Sequence, residues 1–277
     1  MGRRDRRPPL RNGRAWAGLA ILAGVIFTAL FAPWLAPHDP LEPHLEARRQ
    51  PPSLQHPLGR DELGRDNLSR VIYGARLSLW VGVTSVGLAV IVGGALGAMA
   101  GYRGGWLDSL ITSVVDMMLA FPTLLLAIAV VVVLGRGLTH VMYALAFAMI
   151  PTYARLVRVG VLAIKEQEYV LAARAIGVSP IRLLWRHILP NCLTPVQAQA
   201  TLGIGAAILE AAGLSFLGLG AQPPTPEWGA MIAQGRGAVL GAPHVVLFPG
   251  LALMLTVLGF NLLGDGLRDR ADPRWTW

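Results

Sequence analysis

Lysine, cysteine and charge are scarce in this sequence. Among 277 residues there is one lysine, Lys165, and one cysteine, Cys192. A single cysteine excludes an internal disulfide and a thiolate metal cluster. The only lysine follows Ile164, so a G-x-x-x-x-G-K-S/T phosphate loop cannot occur. No histidine precedes a glutamate, which removes H-E-x-x-H, and the G-x-S-x-G and G-x-G-x-x-G patterns are also missing. No catalytic residue, metal ligand set or cofactor site is therefore expected in this chain. If a nucleotide powers this chain, another chain must bind that nucleotide.

Charged residues are only 14% of the chain against 54% apolar, and the mean hydropathy is +0.52. Windows 78–101, 138–154 and 244–264 carry no charge, 193–220 carries one glutamate and 107–134 two aspartates. Each approaches or exceeds the ~20 apolar residues that cross a bilayer core. With a further stretch at 15–37 they predict six transmembrane helices, because lipid admits only helices or closed barrels and these windows are too long for strands. The expected fold class is all-α and polytopic. The 15–37 stretch is longer than a signal-peptide core and lacks a small-x-small cleavage site, so it reads as a retained anchor.

The net charge of +8 does not point to nucleic acid, because of where it lies. Six arginines precede the first span, six Lys/Arg fall within 155–186 and three follow the last span. Only Arg136 and Arg236 occupy the two short loops on the other side. This asymmetry puts both termini and the 160–191 segment in the cytoplasm. Residues 1–14 then form a basic cytoplasmic N-terminus, 38–77 an extracytoplasmic segment, 78–265 the core with five spans, and 266–277 a cytoplasmic tail. Within 38–77, Leu63, Leu68, Ile72 and Leu77 are spaced for an amphipathic helix lying at the outer surface. Gly93, Gly97 and Gly101, four residues apart, predict close helix packing. Pro122 predicts a kink in the third span.

Between the fourth and fifth spans lies "EYVLAARAIGVSPIRLLWRHILPN", residues 168–191. Gly177 suits the left-handed end of a first helix, while Ser179 and Pro180 suit the N-cap and first residue of a second. The second helix is expected to stop before Pro190. Its Ile181, Leu184, Trp185 and Ile188 fit one apolar stripe, with Arg182 and Arg186 on the other side. Ala172, Ala173 and Ala175, with Glu168 a turn earlier, form a small-residue knob suited to a partner's groove.

This stretch resembles the cytoplasmic signature of permease subunits in ATP-binding-cassette importers, EAA-x3-G-x9-I-x-L-P. Here it reads Leu171-Ala172-Ala173, Gly177, His187, Leu189 and Pro190, with Leu171 and His187 departing from the pattern. Glu168 lies three residues before Leu171, on nearly the same face. "HPLGRDELGRDNLSRVIYGARLSL", "DMMLAFPTLLLAI", "YARLVR", "LSFLGLGAQPPTPEWGAMI" and "PGLALMLTVLGFNLLGDGLRDRADPR" narrow the resemblance to the C-type permease of the dipeptide/oligopeptide/nickel family. It implies a type I importer transmembrane domain. It also implies a homologous second permease, two P-loop ATPase subunits and an extracytoplasmic solute-binding protein as partners. Short peptides are the implied cargo, nickel or another small solute the alternative within the family. Glu168, Ala172, Ala173, Gly177, Ser179, Pro180, Arg182 and Pro190 become the expected ATPase-coupling residues. An ion-coupled transporter working alone is the alternative of another class.

Glu210 in the fifth span and Asp116 in the third must face a cavity or a partner group, since a carboxylate in lipid is costly. Both are candidates for the translocation pathway, or for hydrogen bonds that fix packing. Arg155 and Arg158 read as anchors at the inner membrane surface.

Overall fold

The computed structural model describes residues 13–271. Most of the basic N-terminus 1–14 and the end of the tail 266–277 lie outside the described residues. Every regular element among them is helical, apart from an isolated antiparallel bridge between Arg60 and Asp66.

Helix α1, Gly13–Leu30, is followed by the short α2, Ala32–Leu35, with Pro33 in its first turn. Helix α3, Asn67–Arg103, runs unbroken for 37 residues. The Asp66 carboxylate caps it by accepting from the Ser69 amide at 2.8 Å. Gly104, at φ +67°, ends it. At about 1.5 Å per residue, α3 is some 55 Å long, well beyond a bilayer core of about 30 Å. The separate amphipathic helix expected before the second span is thus the beginning of α3. Leu68, Ile72 and Leu77 ride on the spanning helix itself, and Leu63 sits in the preceding loop. No breaker follows the Asp66 cap, so the chain has no reason to start a new helix.

The third span is broken into α4, Gly105–Leu119, and α5, Thr123–Leu134, at an angle of 94°. Pro122 lacks an amide hydrogen and disfavours helical backbone at Phe121, which places the break. Helix α6 is Leu138–Lys165, α7 Glu168–Ala175 and α8 Pro180–Leu183. A π-helical turn, Leu184–Ile188, joins α8 to α9, Leu189–Phe216. Helices α10, Trp228–Gly235, and α11, His244–Ala271, complete the fold. Among the described residues, five stretches are long and apolar enough to cross a membrane, and six when the bent α4–α5 pair counts as one span.

Helices α3 and α6 run parallel in close contact. A Cβ on Gly93 would lie 2.5 Å from the Ile150 carbonyl oxygen, one on Gly101 2.9 Å from that of Arg158, and one on Gly97 would overlap that of Ala154. Helices α1 and α11 pair in opposite directions, Gly18 against Gly259 and Ala15 against Gly266. The described ends of α1 and α11 therefore lie on the same side of the bundle as the α7–α8 hairpin. On the opposite side, residues 38–66 fold into a polar cap. Asp61 is its hub, accepting from the amides of Leu63 and Arg65 and from Arg65 Nε at 2.7 Å. Arg65 Nη2 reaches Gln234 of α10, and Asn67 Nδ2 reaches the His244 carbonyl at the start of α11.

Candidate functional site

The hairpin 165–191 is built from its turns outward. Gly177, at φ +84°, lets the chain reverse where a Cβ would be strained. Its amide donates to the Arg174 carbonyl at 3.0 Å, and the Val178 amide to that of Ala173 at 3.1 Å. These paired bonds close the end of α7 as a Schellman motif. Ser179 has the extended backbone of an N-cap, with Pro180 next, although the Ser179 hydroxyl makes no capping hydrogen bond.

The hairpin is seated on the bundle. Val170 and Ala173 of α7, Leu183 of α8 and Ile188 are buried with Ala98 of α3, Val157 and Val161 of α6, and Cys192 and Val196 of α9. Tyr169 adds a polar tie. Its hydroxyl donates to the His187 carbonyl at 3.3 Å and accepts from Asn191 Nδ2 at 3.1 Å, while Asn191 also donates to His187 at 2.6 Å. Neither Tyr169 nor Asn191 is evident from the sequence, because a hydroxyl and an amide 22 residues apart carry no local pattern.

Two features differ from the sequence expectation. The second helix does not stop before Pro190; α8, the π turn and α9 form one continuous rod to Phe216. In the π turn the Leu189 amide donates five residues back, to Leu184. That wider turn accommodates Pro190, which offers no amide hydrogen and would crowd a regular α-helical turn. The expected apolar stripe also splits. The extra residue of the π turn rotates the face, so Leu183 and Ile188 are buried while Ile181 is 74% and Trp185 69% exposed.

The knob residues divide as well. Ala173 faces the bundle, while Glu168, Ala172 and Ala175 face outward with Leu171, Ile176 and Arg182. Gly177, Ser179, Pro180 and Pro190 are not buried either. The outward surface thus carries a carboxylate, small side chains, a guanidinium and several bare apolar groups on a rigid base. Among the described residues it holds no nucleophile–base pair.

The carboxylates of the spans lie elsewhere. Asp116 pairs with Arg155, with both side chains about half exposed. About one helical turn away, Arg158 donates to Asp108 through Nε and, at 2.7 Å, through Nη2. Arg155 and Arg158 therefore link α6 to α4, where the sequence suggested membrane anchors. Asp108 escapes sequence reasoning because its partner is 50 residues distant. Glu210 is half buried in α9, with Oε2 buried and without a hydrogen-bond partner among the described residues. Nothing among the described residues joins Glu210 to Asp116 by an ion pair or a hydrogen bond.

Comparison with known proteins agrees with this architecture. Residues 93–277 match the family model of the binding-protein-dependent transport system inner membrane component. Residues 10–52 match the N-terminal TM domain of oligopeptide transport permease C. The chain is 50% identical over 264 residues to the dipeptide transport system permease protein DppC of Alkalihalophilus pseudofirmus, covering 95% of this chain and 87% of that one. It is 48% identical to the di/tripeptide transport system permease protein DppC of Pseudomonas aeruginosa, covering 95% and 89%. It is 51% identical to the glutathione transport system permease protein GsiD of Escherichia coli O157:H7, covering 90% and 83%. Among solved structures, a chain of the inward-facing MetNI methionine ABC transporter superposes with a TM-score of 0.59 at 20% identity, covering 72% of this chain and 95% of that one. That likeness establishes the shared fold, a type I importer transmembrane domain. On the family match and these relatives together, the chain belongs to the binding-protein-dependent transport system inner membrane components.

Proposed function

We propose that this chain forms half of the membrane pathway of an ATP-driven importer for short peptides. Its termini and hairpin face the cytoplasm, and the polar cap of residues 38–66 faces outward. A homologous permease completes the pathway. Two P-loop ATPase subunits, which hold the ATP and magnesium, grip the hairpins, and an extracytoplasmic binding protein delivers the cargo to the cap side.

One observation carries the mechanism: the hairpin is both exposed and mechanically continuous with a span. Glu168, Ala172, Ile176, Ile181, Arg182 and Trp185 form the outward face. Behind them, residues 180–216 run as one continuous helical stretch through the π turn. A push on α7 and α8 is passed through the buried Val170, Ala173, Leu183 and Ile188 into α6 and α9. ATPase closure therefore tilts these spans between two packed arrangements, which is alternating access. The pathway side chains remain Glu210 and Asp116, as polar groups on membrane helices. Peptide as cargo rests on the dipeptide, di/tripeptide and glutathione permeases that share about half of this sequence.

Co-purification tests the reading. The chain, expressed with its neighbouring transport genes, is expected to retain a P-loop ATPase and take up labelled dipeptide. Ala172→Glu, on the outward face, is expected to release the ATPase and abolish uptake while the permease pair stays assembled. An Ala172→Glu complex with full ATPase content and uptake rejects the hairpin as the coupling site.

A further inference from the structure

Three metal-ligating side chains from separate parts of the cap converge beside the first turn of α3. His38 follows α2, His56 lies in the turn before Gly59, and Asp66 caps α3. His56 Nδ1 is 2.8 Å from Asp66 Oδ1, and His38 Nδ1 is 3.8 Å from Asp66 Oδ2. One ligand atom from each residue lies within 4.8 Å of the other two. The two imidazoles stand side by side, 4.5 Å between centroids. Asp66 and His56 are buried, whereas the His38 side chain is 42% exposed and leaves the cluster open to solvent.

We propose that His38, His56 and Asp66 form a binding site for a divalent ion of the zinc class, which pins the stretch after α2 to the start of α3. Two imidazole nitrogens and one carboxylate are a zinc ligand set, with a fourth position left for water from the open side. Bonds of about 2.0–2.1 Å in a tetrahedral site put ligand atoms about 3.4 Å apart, between the two separations seen here. Asp66 is already oriented, since Oδ2 accepts from the Ser69 amide at 2.8 Å and the Ser69 hydroxyl at 2.7 Å. Ser69 Oγ also accepts from the His38 amide at 3.1 Å, fixing that backbone at the cluster.

Two contacts oppose the ion, the His56 Nδ1–Asp66 Oδ1 hydrogen bond that it must replace and a second one at Arg60. Arg60 Nη2 lies 2.7 Å from His56 Nε2. When Nδ1 holds a metal, Nε2 carries the proton and cannot accept from a guanidinium. Arg60 must then swing away, giving up that bond while its Nη1 bond to the Gly64 carbonyl remains available. Replacing Arg60 with glutamine removes a cation and supplies an amide oxygen that can accept from Nε2.

The test uses the full chain with its permease partner in nanodiscs, without a polyhistidine tag and stripped by a chelator. It is titrated with zinc chloride in excess magnesium. Bound zinc is counted by mass spectrometry after gel filtration, and the melting temperature is followed in parallel. About one zinc per chain is expected, with a rise in melting temperature. His38→Ala, which keeps the backbone amide and alters a partly exposed side chain, is expected to lose both. Arg60→Gln is expected to bind zinc several-fold more tightly. His44→Ala, at a histidine flanked by Glu42 and Glu46, is expected to bind as the parent does. Absence of retained zinc in the parent overturns the site. So does zinc content unchanged by His38→Ala, or weaker binding by Arg60→Gln.

Discussion

The Val178 amide donates to the Ala173 carbonyl across a left-handed Gly177. This bond ties the end of α7 to the turn into α8, and both residues pack toward the bundle, Ala173 buried and Val178 partly so. Valine at position 177 cannot adopt φ +84° without strain of about 1–2 kcal/mol. Gly177→Val is expected to leave the spans inserted but fray α7. Peptide-stimulated ATP hydrolysis is expected to drop well below half, and protease sensitivity to rise between 165 and 180.

The contact between α3 and α6 leaves no room for side chains at Gly93, Gly97 and Gly101. Gly97→Leu forces the backbones apart, at a cost of about 1–3 kcal/mol or more. Gly87 lies on the same helix with nothing near its missing Cβ. There alanine is expected to be neutral, or to stabilise by up to about 1 kcal/mol through helix propensity. Thermal unfolding of the two variants in nanodiscs checks the contrast. Equal melting temperatures would refute close packing as the role of this glycine stripe.

Two ion pairs tie α4 to α6, and they differ in exposure. Asp108–Arg158 is partly shielded, whereas Asp116 and Arg155 are both about half exposed. Removing a shielded partner strands its mate, so Asp108→Asn is expected to cost about 1–2 kcal/mol. Asp116→Asn is expected to cost less than about 1 kcal/mol, in line with exposed pairs. Melting curves at low and high salt separate them, because the more exposed pair is expected to respond more to screening.

Glu227 caps α10, accepting from the Gly229 and Ala230 amides at 2.9 Å each. Burial nevertheless pushes its carboxyl above the ordinary glutamate value of 4.5, outweighing those two bonds. The folded state thus holds this proton more tightly than the unfolded chain. The resulting stabilisation is complete below the ordinary value and is lost as pH rises through the folded one. Glu227→Gln, which keeps an acceptor for the cap, is expected to flatten the fall in melting temperature as pH rises above 4.5. An unchanged slope contradicts the assignment.

The sequence makes some of these features legible and hides others for physical reasons. Uncharged windows announce spans because lipid tolerates few charges, and Gly177, Ser179 and Pro180 announce a hairpin because their backbone preferences are local. The site of the α4–α5 break is readable from Pro122. Its 94° angle is not, since bending depends on neighbouring helices. The π turn at Leu184–Ile188 has no residue signature of its own, so regular helical spacing assigns the wrong phase to the hairpin's apolar face. Ala173 lies on the bundle rather than the docking face for a related reason: an alanine shows no preference between a partner's groove and its own core. The Asp108–Arg158 and Tyr169–Asn191 contacts are set by tertiary packing that no local pattern records.

Site-directed labelling of the hairpin tests the central claim most directly. Cys192 is buried, and replacing it with serine leaves a background without thiols. Trp185→Cys then places one thiol on the exposed face. The account predicts no reaction with a membrane-impermeant maleimide in intact cells, full reaction after permeabilisation, and crosslinking of the introduced thiol to the ATPase in the assembled complex. Labelling from outside intact cells, or transport by the permease pair without an ATPase, would contradict it.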